Sequence, residues 1–323
     1  MPAGTKFELK PGPATREAFG RALVDIGREN PDIVVCDADL AKSTMTTYFA
    51  KEFPNRFFSF GIAEANMAAQ AAGMAYAGKI PFIASFSAFA INKGFEQLRA
   101  CVAYPNANVK VVGTHSGISI GEDGPSQMSI EDIGLTCSLP GFTVLSPADE
   151  VSMKALVFAA AAHVGPVFLR AGRPKAPIVH VSDQHFKIGG SVELIDGSEL
   201  TIIAHGLLVA ESIRAQEALE SEGISARVID MYSIKPLDRA AIERAARETG
   251  AIVVAEEHLV ATGLGVRVAQ VVAEANPCPM EFVGIQDTYA ESGTPEQLME
   301  KYGLVAPNVV AAAKRVLGRK RRH

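Results

Sequence analysis

The sequence predicts two α/β domains in tandem, each a doubly wound sheet of parallel strands with helices on both faces. Three observations lead there. Short β-rich runs alternate with Ala-rich stretches of helical length, as βαβ units require. The 323 residues are too many for one ordinary domain and enough for two with separate cores. A polar, Pro- and Gly-containing stretch from Gly172 to about Ser191 interrupts the alternation, which sets domains at 1–185 and 186–323, the second smaller. In the first half, strands are expected over Asp32 to Asp39, Pro81 to Phe86, Asn108 to His115, Phe142 to Ser146 and Pro166 to Arg170. Helices are expected between them over Thr15 to Arg28, Ala63 to Ala77, Asn92 to Val102 and Ala148 to His163. The second half resumes with strands over Leu200 to Ala204, Ala226 to Asp230, Ala251 to Glu256 and Glu281 to Ile285, separated by helices over Leu208 to Glu220, Asp238 to Thr249 and Gly265 to Ala275.

Composition narrows the function classes. At 48% hydrophobic and 21% charged residues, the chain is outside the regime of disorder. A formal net charge of -5 argues against a nucleic-acid binder, which needs clustered Lys and Arg. The basic run Gly318 to His323 reads as a frayed, solvated terminus. Cys36, Cys101, Cys137 and Cys278 are far apart and form no C-x-x-C, so neither a zinc site nor a disulfide framework is expected, and a reducing cytoplasmic setting is. Met1 to Lys6 has no apolar signal segment, and no stretch is apolar enough to span a bilayer.

Ligands of parallel sheets bind beyond the carboxyl ends of the strands, so the loops there carry the chemistry. Four such loops are rich in polar groups: Asp37 to Thr44, Ser85 to Phe89, Gly113 to Gly117 leading into Gly121 to Gln127, and Arg170 to Pro174. A fifth feature is Glu64, a lone carboxylate opening a helix of small apolar residues. By itself it reads either as a first-turn acid favoured by the helix dipole or as a desolvated, protonated carboxyl able to donate a hydrogen bond. Phe86 and Phe89 read equally as core packing or as an aromatic wall, and His115 as a strand-end cap or a ligand contact.

The run Gly61 to Met67, the pair Phe86 and Phe89, the loop Thr114 to Ser119 and the segment Gly121 to Gly124 together resemble the pyrimidine-binding domain of transketolases. Ile234 to Asp238 followed by Val254 to His258 resembles their C-terminal domain, so the likeness covers nearly the whole chain in the right order. The resemblance implies thiamine diphosphate as cofactor and transfer of a two-carbon ketol unit from a ketose phosphate to an aldose or its phosphate. It makes Glu64 the acid that bonds the pyrimidine ring nitrogen and activates the cofactor, and Phe86 with Phe89 the surface on which the pyrimidine stacks. Asp39 and Leu40 match positions near the bound thiamine. His115 matches a contact to the donor sugar near the reacting carbons, and Asp123 one that reads a substrate hydroxyl. Arg16, Ser43 and Arg173 match the grip on the substrate phosphate, with Arg170 nearby to share it; a planar guanidinium suits that task through bidentate charge-assisted bonds.

Two departures matter. Where many bacterial and fungal transketolases have His, this chain has Gln127, as animal-type enzymes do; glutamine orients but cannot shuttle a proton at neutral pH. The G-D-G segment and downstream Asn that hold metal and diphosphate in full-length transketolases are missing from these residues, and Gly263-Leu264-Gly265 reads as a helix start. The resemblance therefore implies no metal ligands here. Mg2+ would be held by a partner chain, an N-terminal-half transketolase subunit, in a heterotetramer. Rival readings are a beta subunit of a 2-oxo acid dehydrogenase, a deoxyxylulose-phosphate synthase-like enzyme, and a non-catalytic scaffold subunit that kept the fold. The 2-oxo acid dehydrogenase subunits normally lack both Gly121 to Gly124 after the histidine loop and the set Arg16, Ser43 and Arg173.

Overall fold

The computed structural model describes residues 8–320; the N-terminal run Met1 to Lys6 and the last three residues of the basic tail, Arg321 to His323, lie outside the described residues. Strands in chain order are β1 (Ile33–Asp37), β2 (Phe57–Ser59), β3 (Ile80–Phe86), β4 (Lys110–Thr114), β5 (Thr143–Leu145), β6 (Val167–Arg170), β7 (Val192–Ile195), β8 (Leu200–Ala204), β9 (Ala226–Asp230), β10 (Ser233–Lys235), β11 (Ile252–Leu259) and β12 (Met280–Ile285). Within the described residues they form a seven-stranded sheet, in the order β10-β5-β6-β4-β3-β1-β2, and a five-stranded sheet, β12-β11-β8-β9-β7. β1, β4, β5, β6, β8 and β9 are buried at every residue. That is why they read as continuous Val- and Ile-rich runs rather than as alternation. Helices cover both faces of each sheet. The Thr15–Glu29 helix sets Phe19 and Leu23, both fully buried, against Ile33, Val35 and Phe82. Burial of such side chains stabilises by about 1.5 to 3 kcal/mol apiece.

Four expectations need correction. The sheets are not parallel throughout: β10 pairs with β5 and β7 with β9 antiparallel, each at a sheet edge. The first sheet also borrows β10 from the second half of the sequence. The helix expected over Asn92 to Val102 is instead two π-helical turns, Ala88–Lys93 and Leu98–Ala103, flanking Phe95–Gln97. Gly94 sits between them, where a Cβ would come within 2.5 Å of the Ala90 carbonyl oxygen. Such widened turns are frequent at functional sites, and the first of these contains Phe89. The basic tail is not frayed as far as it is described, for the Ala306–Lys320 helix continues through Arg319, bonded to Glu281 at 2.9 Å, and Lys320, whose Nζ donates to the Thr249 carbonyl at 2.7 Å.

The stretch between the sheets carries a buried histidine. His180 Nδ1 lies 3.0 Å from Asp149 Oδ1, in the first half, and Nε2 lies 3.2 Å from Asp230 Oδ2, in the second, with all three side chains fully buried. Burial alone would lower its pKa, but the two carboxylates override it and push it up to about 9. No helix of the described residues is long and apolar enough to cross a membrane.

Candidate active site

The site assembles where the sequence places its loops, at the carboxyl ends of β1, β3, β4 and β6. After β1, the buried Asp37 organises the turn: Oδ1 accepts the Leu40 N–H at 2.6 Å, and Oδ2 accepts the hydroxyls of Thr44 and Thr46 at 2.7 and 2.9 Å. Burial raises the pKa of Asp37, and the hydroxyl and backbone donors oppose it. Asp39, exposed on this turn, adopts a left-handed φ of 63°, a conformation Asp tolerates better than most residues. Leu40 is half-buried and packs on the core. The turn presents the Ser43 carbonyl to Arg16 NH1 at 2.7 Å, from the first turn of the Thr15–Glu29 helix.

His115, just past β4, also takes a left-handed backbone, φ 57°, and is buried. Its ring stacks on Phe86 with centroids 3.8 Å apart. Nδ1 lies 2.9 Å from Thr114 Oγ1, and Nε2 lies 3.4 Å from Arg16 NH1. A guanidinium only donates and Thr114 Oγ1 donates to the Ser85 carbonyl, which assigns the proton to Nδ1 and leaves Nε2 as acceptor. Burial, with Arg16 and Arg173 nearby, lowers the imidazole pKa to about 3, so the ring is neutral at working pH.

Phe86 stacks with His115 and with Phe89, whose ring centroid lies 5.7 Å away with 15° between planes. Phe89 is half-buried, the more open ring of the pair. Lys93, from the π turn, places Nζ 4.9 Å from the Phe89 centroid and 3.6 Å from Glu64 Oε2. Glu64 opens the Glu64–Tyr76 helix and is 4% exposed. Its surroundings are thus not only the small apolar residues the sequence shows: an ammonium group lies against it.

One chain of contacts joins Glu64, Lys93, Phe89, Phe86, His115, Arg16 and Ser43. Arg173 completes the cationic side. Its NH1 donates to the Ile120 carbonyl and, at 2.8 Å, to Glu122 Oε2. Burial, and then the nearby Arg173, lower the pKa of Arg16. Arg170 does not share that task. Its guanidinium is committed to Asp132 at 2.9 Å, the Ser129 carbonyl and the Glu257 carbonyl, with the side chain 6% exposed. Asp132 also accepts the Ser87 hydroxyl at 2.8 Å, which ties the aromatic loop to β6. Asp123 and Gln127 lie on the outer part of the Gly121 to Gln127 loop, exposed and half-buried respectively; Gln127 Oε1 accepts the Ser126 hydroxyl at 2.7 Å. Neither bonds to His115, Arg16 or Arg173 within the described residues.

Sequence reasoning missed Lys93 and Asp132, and gave no individual role to Asp37, Ser87 or Glu257, which lie in segments it singled out. A pyrimidine ring fits the chemistry present, a buried carboxyl at Glu64 and the half-buried Phe89 ring that Lys93 joins to it. Arg16 Nε, buried and unpartnered, is a free donor on the anion side. Among the described residues no three His, Cys, Asp or Glu side chains converge as metal ligands.

Fold and site define a half of a thiamine-dependent enzyme, and comparison with known proteins agrees. Residues 11–178 match the pyrimidine binding domain of transketolase and residues 190–309 the transketolase C-terminal domain. The 6-deoxy-6-sulfo-D-fructose transketolase subunit of Clostridium sp. is 38% identical over 94% of this chain and 95% of its own length. An apulose-4-phosphate transketolase subunit of Phocaeicola vulgatus is 37% identical over 90% of this chain and 93% of its own. Among solved structures, a split-gene transketolase, an inactive beta4 tetramer, is 47% identical, covers 96% of this chain and 99% of that one, and superposes with a TM-score of 0.88. The chain belongs to the transketolase family.

Proposed function

We propose that this chain is the pyrimidine-binding and C-terminal half of a two-chain, thiamine diphosphate-dependent transketolase, a transferase that moves a two-carbon ketol unit from an anionic ketose to an aldose. The observation that carries this reading is the single chain of contacts from Glu64 through Lys93 and the aromatic pair to His115 and the Arg16 guanidinium, which joins a ring-binding acid to the start of an anion grip. Neither the 2-oxo acid dehydrogenase nor the deoxyxylulose-phosphate synthase reading is favoured by the relatives, which are named as transketolase subunits. The scaffold reading leaves this alignment without a purpose.

When bound, the cofactor supplies the electron sink for carbon–carbon cleavage. Glu64 sets its carboxyl to bond the pyrimidine ring nitrogen, and Phe89 orients the plane of that ring. His115 presents Nε2 as an acceptor toward the donor sugar's hydroxyls. Arg16, with Ser43 beside it, and Arg173 take the terminal anion, Asp123 reads a substrate hydroxyl and Gln127 has an orienting role. The cluster suits either a phosphate or the sulfonate that one relative's name specifies. Asp39 and Leu40 border the thiamine. Mg2+ and the diphosphate belong to a partner chain carrying the N-terminal half, in a heterotetramer. Four free thiols suit a cytoplasmic setting, and pentose-phosphate intermediates are among the substrates to be tested.

The test is reconstitution. The isolated chain should bind thiamine diphosphate weakly and show no turnover, and both should appear on mixing with the partner. In that complex Glu64→Gln should slow exchange of the cofactor C2 proton, followed by NMR, by about 10²- to 10⁴-fold while assembly stays intact. Robust turnover by the single chain sinks the two-chain reading, and unchanged exchange in the Gln variant sinks the role of Glu64.

A further inference from the structure

The second domain reaches into the active site through the carboxyl end of β11. Glu257, 3% exposed, points its carboxyl out of its own sheet and under the His115 loop, where Oε1 accepts the Ser119 N–H at 2.6 Å. The fit is tight. A Cβ on Gly117 would collide with the Glu257 carboxylate, and Gly117 has a φ of +83°, so both the close approach and the backbone conformation require glycine there. Around this contact the Glu257 carbonyl accepts Arg170 NH2 at 2.9 Å, and the Leu259 N–H donates to the Ile130 carbonyl at 3.0 Å. His258 Nε2 lies 3.6 Å from Asp132 Oδ1, the carboxylate that also holds Ser87 in the aromatic loop. The loop is buried, and its Ile118 and Ile120 side chains pack into the core. A cavity of about 20 Å³, room for a single water, lies behind it, walled by Thr15, Ser116, Ser146, Arg170 and Glu257. Gly117, which has no side chain to pack, is held by its N–H bond to the Ser129 carbonyl at 2.8 Å and by the Glu257 carboxylate seated against it.

We propose that Glu257 is a positioning residue for ketol transfer: its carboxyl, seated against Gly117 and bonded to the Ser119 amide, fixes the loop that aims His115 at the donor sugar. This rests on the transketolase reading above. It also gives the second domain a part in chemistry carried out by the first. The requirement is reach and an acceptor oxygen, not charge. Glutamine keeps both, whereas aspartate keeps the charge and falls one methylene short.

The experiment compares Glu257→Gln with Glu257→Asp. In the chain reconstituted with its partner, Glu257→Gln should retain kcat within about twofold, and Glu257→Asp should lose about tenfold to a hundredfold, the scale set by a misplacement of about 1 Å. Cofactor C2 proton exchange, which reads Glu64 and not the donor sugar, should be the same in both. In the isolated chain, amide hydrogen exchange of the segment 113–124 should rise for Glu257→Asp and not for Glu257→Gln. That measurement needs no activity, so it stands even if the transketolase reading fails. Wild-type turnover in Glu257→Asp overturns the proposal, as does an equal fall in both variants, a parallel fall in C2 exchange, or unchanged amide protection.

Discussion

His180 makes the junction between the two halves dependent on pH, and the size of the effect follows from its surroundings. The folded-state pKa is pushed up to about 9 from 6.5, with Asp149 and Asp230 as the cause and no solvent exposure to screen them. A folded pKa raised above the unfolded one means stabilisation that is complete below the unfolded value and lost as pH rises through the folded one. A rise of that size corresponds to about 3 kcal/mol. Asp149, held down to about 2, does not titrate in that window. His180→Asn keeps a polar side chain and cannot carry the charge, leaving two buried carboxylates facing one another. Urea midpoints for both proteins, measured from about pH 6.5 to about pH 10, should show the wild type more stable by several kcal/mol at the acid end. That gap should narrow by about 3 kcal/mol at the alkaline end. A gap that does not change with pH would refute the assignment of the charge to His180.

Two further outcomes concern the proposed site. Arg16→Ala and Arg173→Ala should each raise KM for phosphorylated ketoses by about tenfold to a hundredfold, the equivalent of about 1.5 to 3 kcal/mol for a charge-assisted bond, and barely affect unphosphorylated analogues; equal losses for both substrate classes would make the arginines structural. Because burial and two guanidiniums hold the His115 pKa near 3, the pH profile of kcat/KM should lack a limb near the ordinary histidine value, and such a limb that disappears in His115→Gln would contradict the neutral ring.

Much of this architecture was legible in the sequence because it is local. The buried strands read as Val- and Ile-rich runs, and Leu200–Ala204 and Ala226–Asp230 fall where that pattern puts them. The Glu64–Tyr76 helix announces itself through alanine content and a first-turn acid. What stayed hidden depends on partners distant in sequence or on backbone that propensity does not encode. Glu257 meets Ser119 across 138 residues, and no pattern around either residue signals the other. Lys93 reads as an ordinary surface lysine until the π turn swings it over Phe89 toward Glu64. Arg170 looked available for an anion because its three acceptors come from Ser129, Asp132 and Glu257, none adjacent to it in the chain.

The strand borrowed by the first sheet ties the fates of the two halves together. β10 covers the outer edge of β5, donated from beyond the buried histidine junction and beyond most of the second sheet's own strands. Cut anywhere in the stretch from Gly172 to Ser191, the first half would expose the row of amides and carbonyls along β5, the kind of open edge that recruits strands from other molecules. The segment that looks like a hinge in the sequence is therefore no place of independence. The seam between the halves is stitched by backbone as well as by charge.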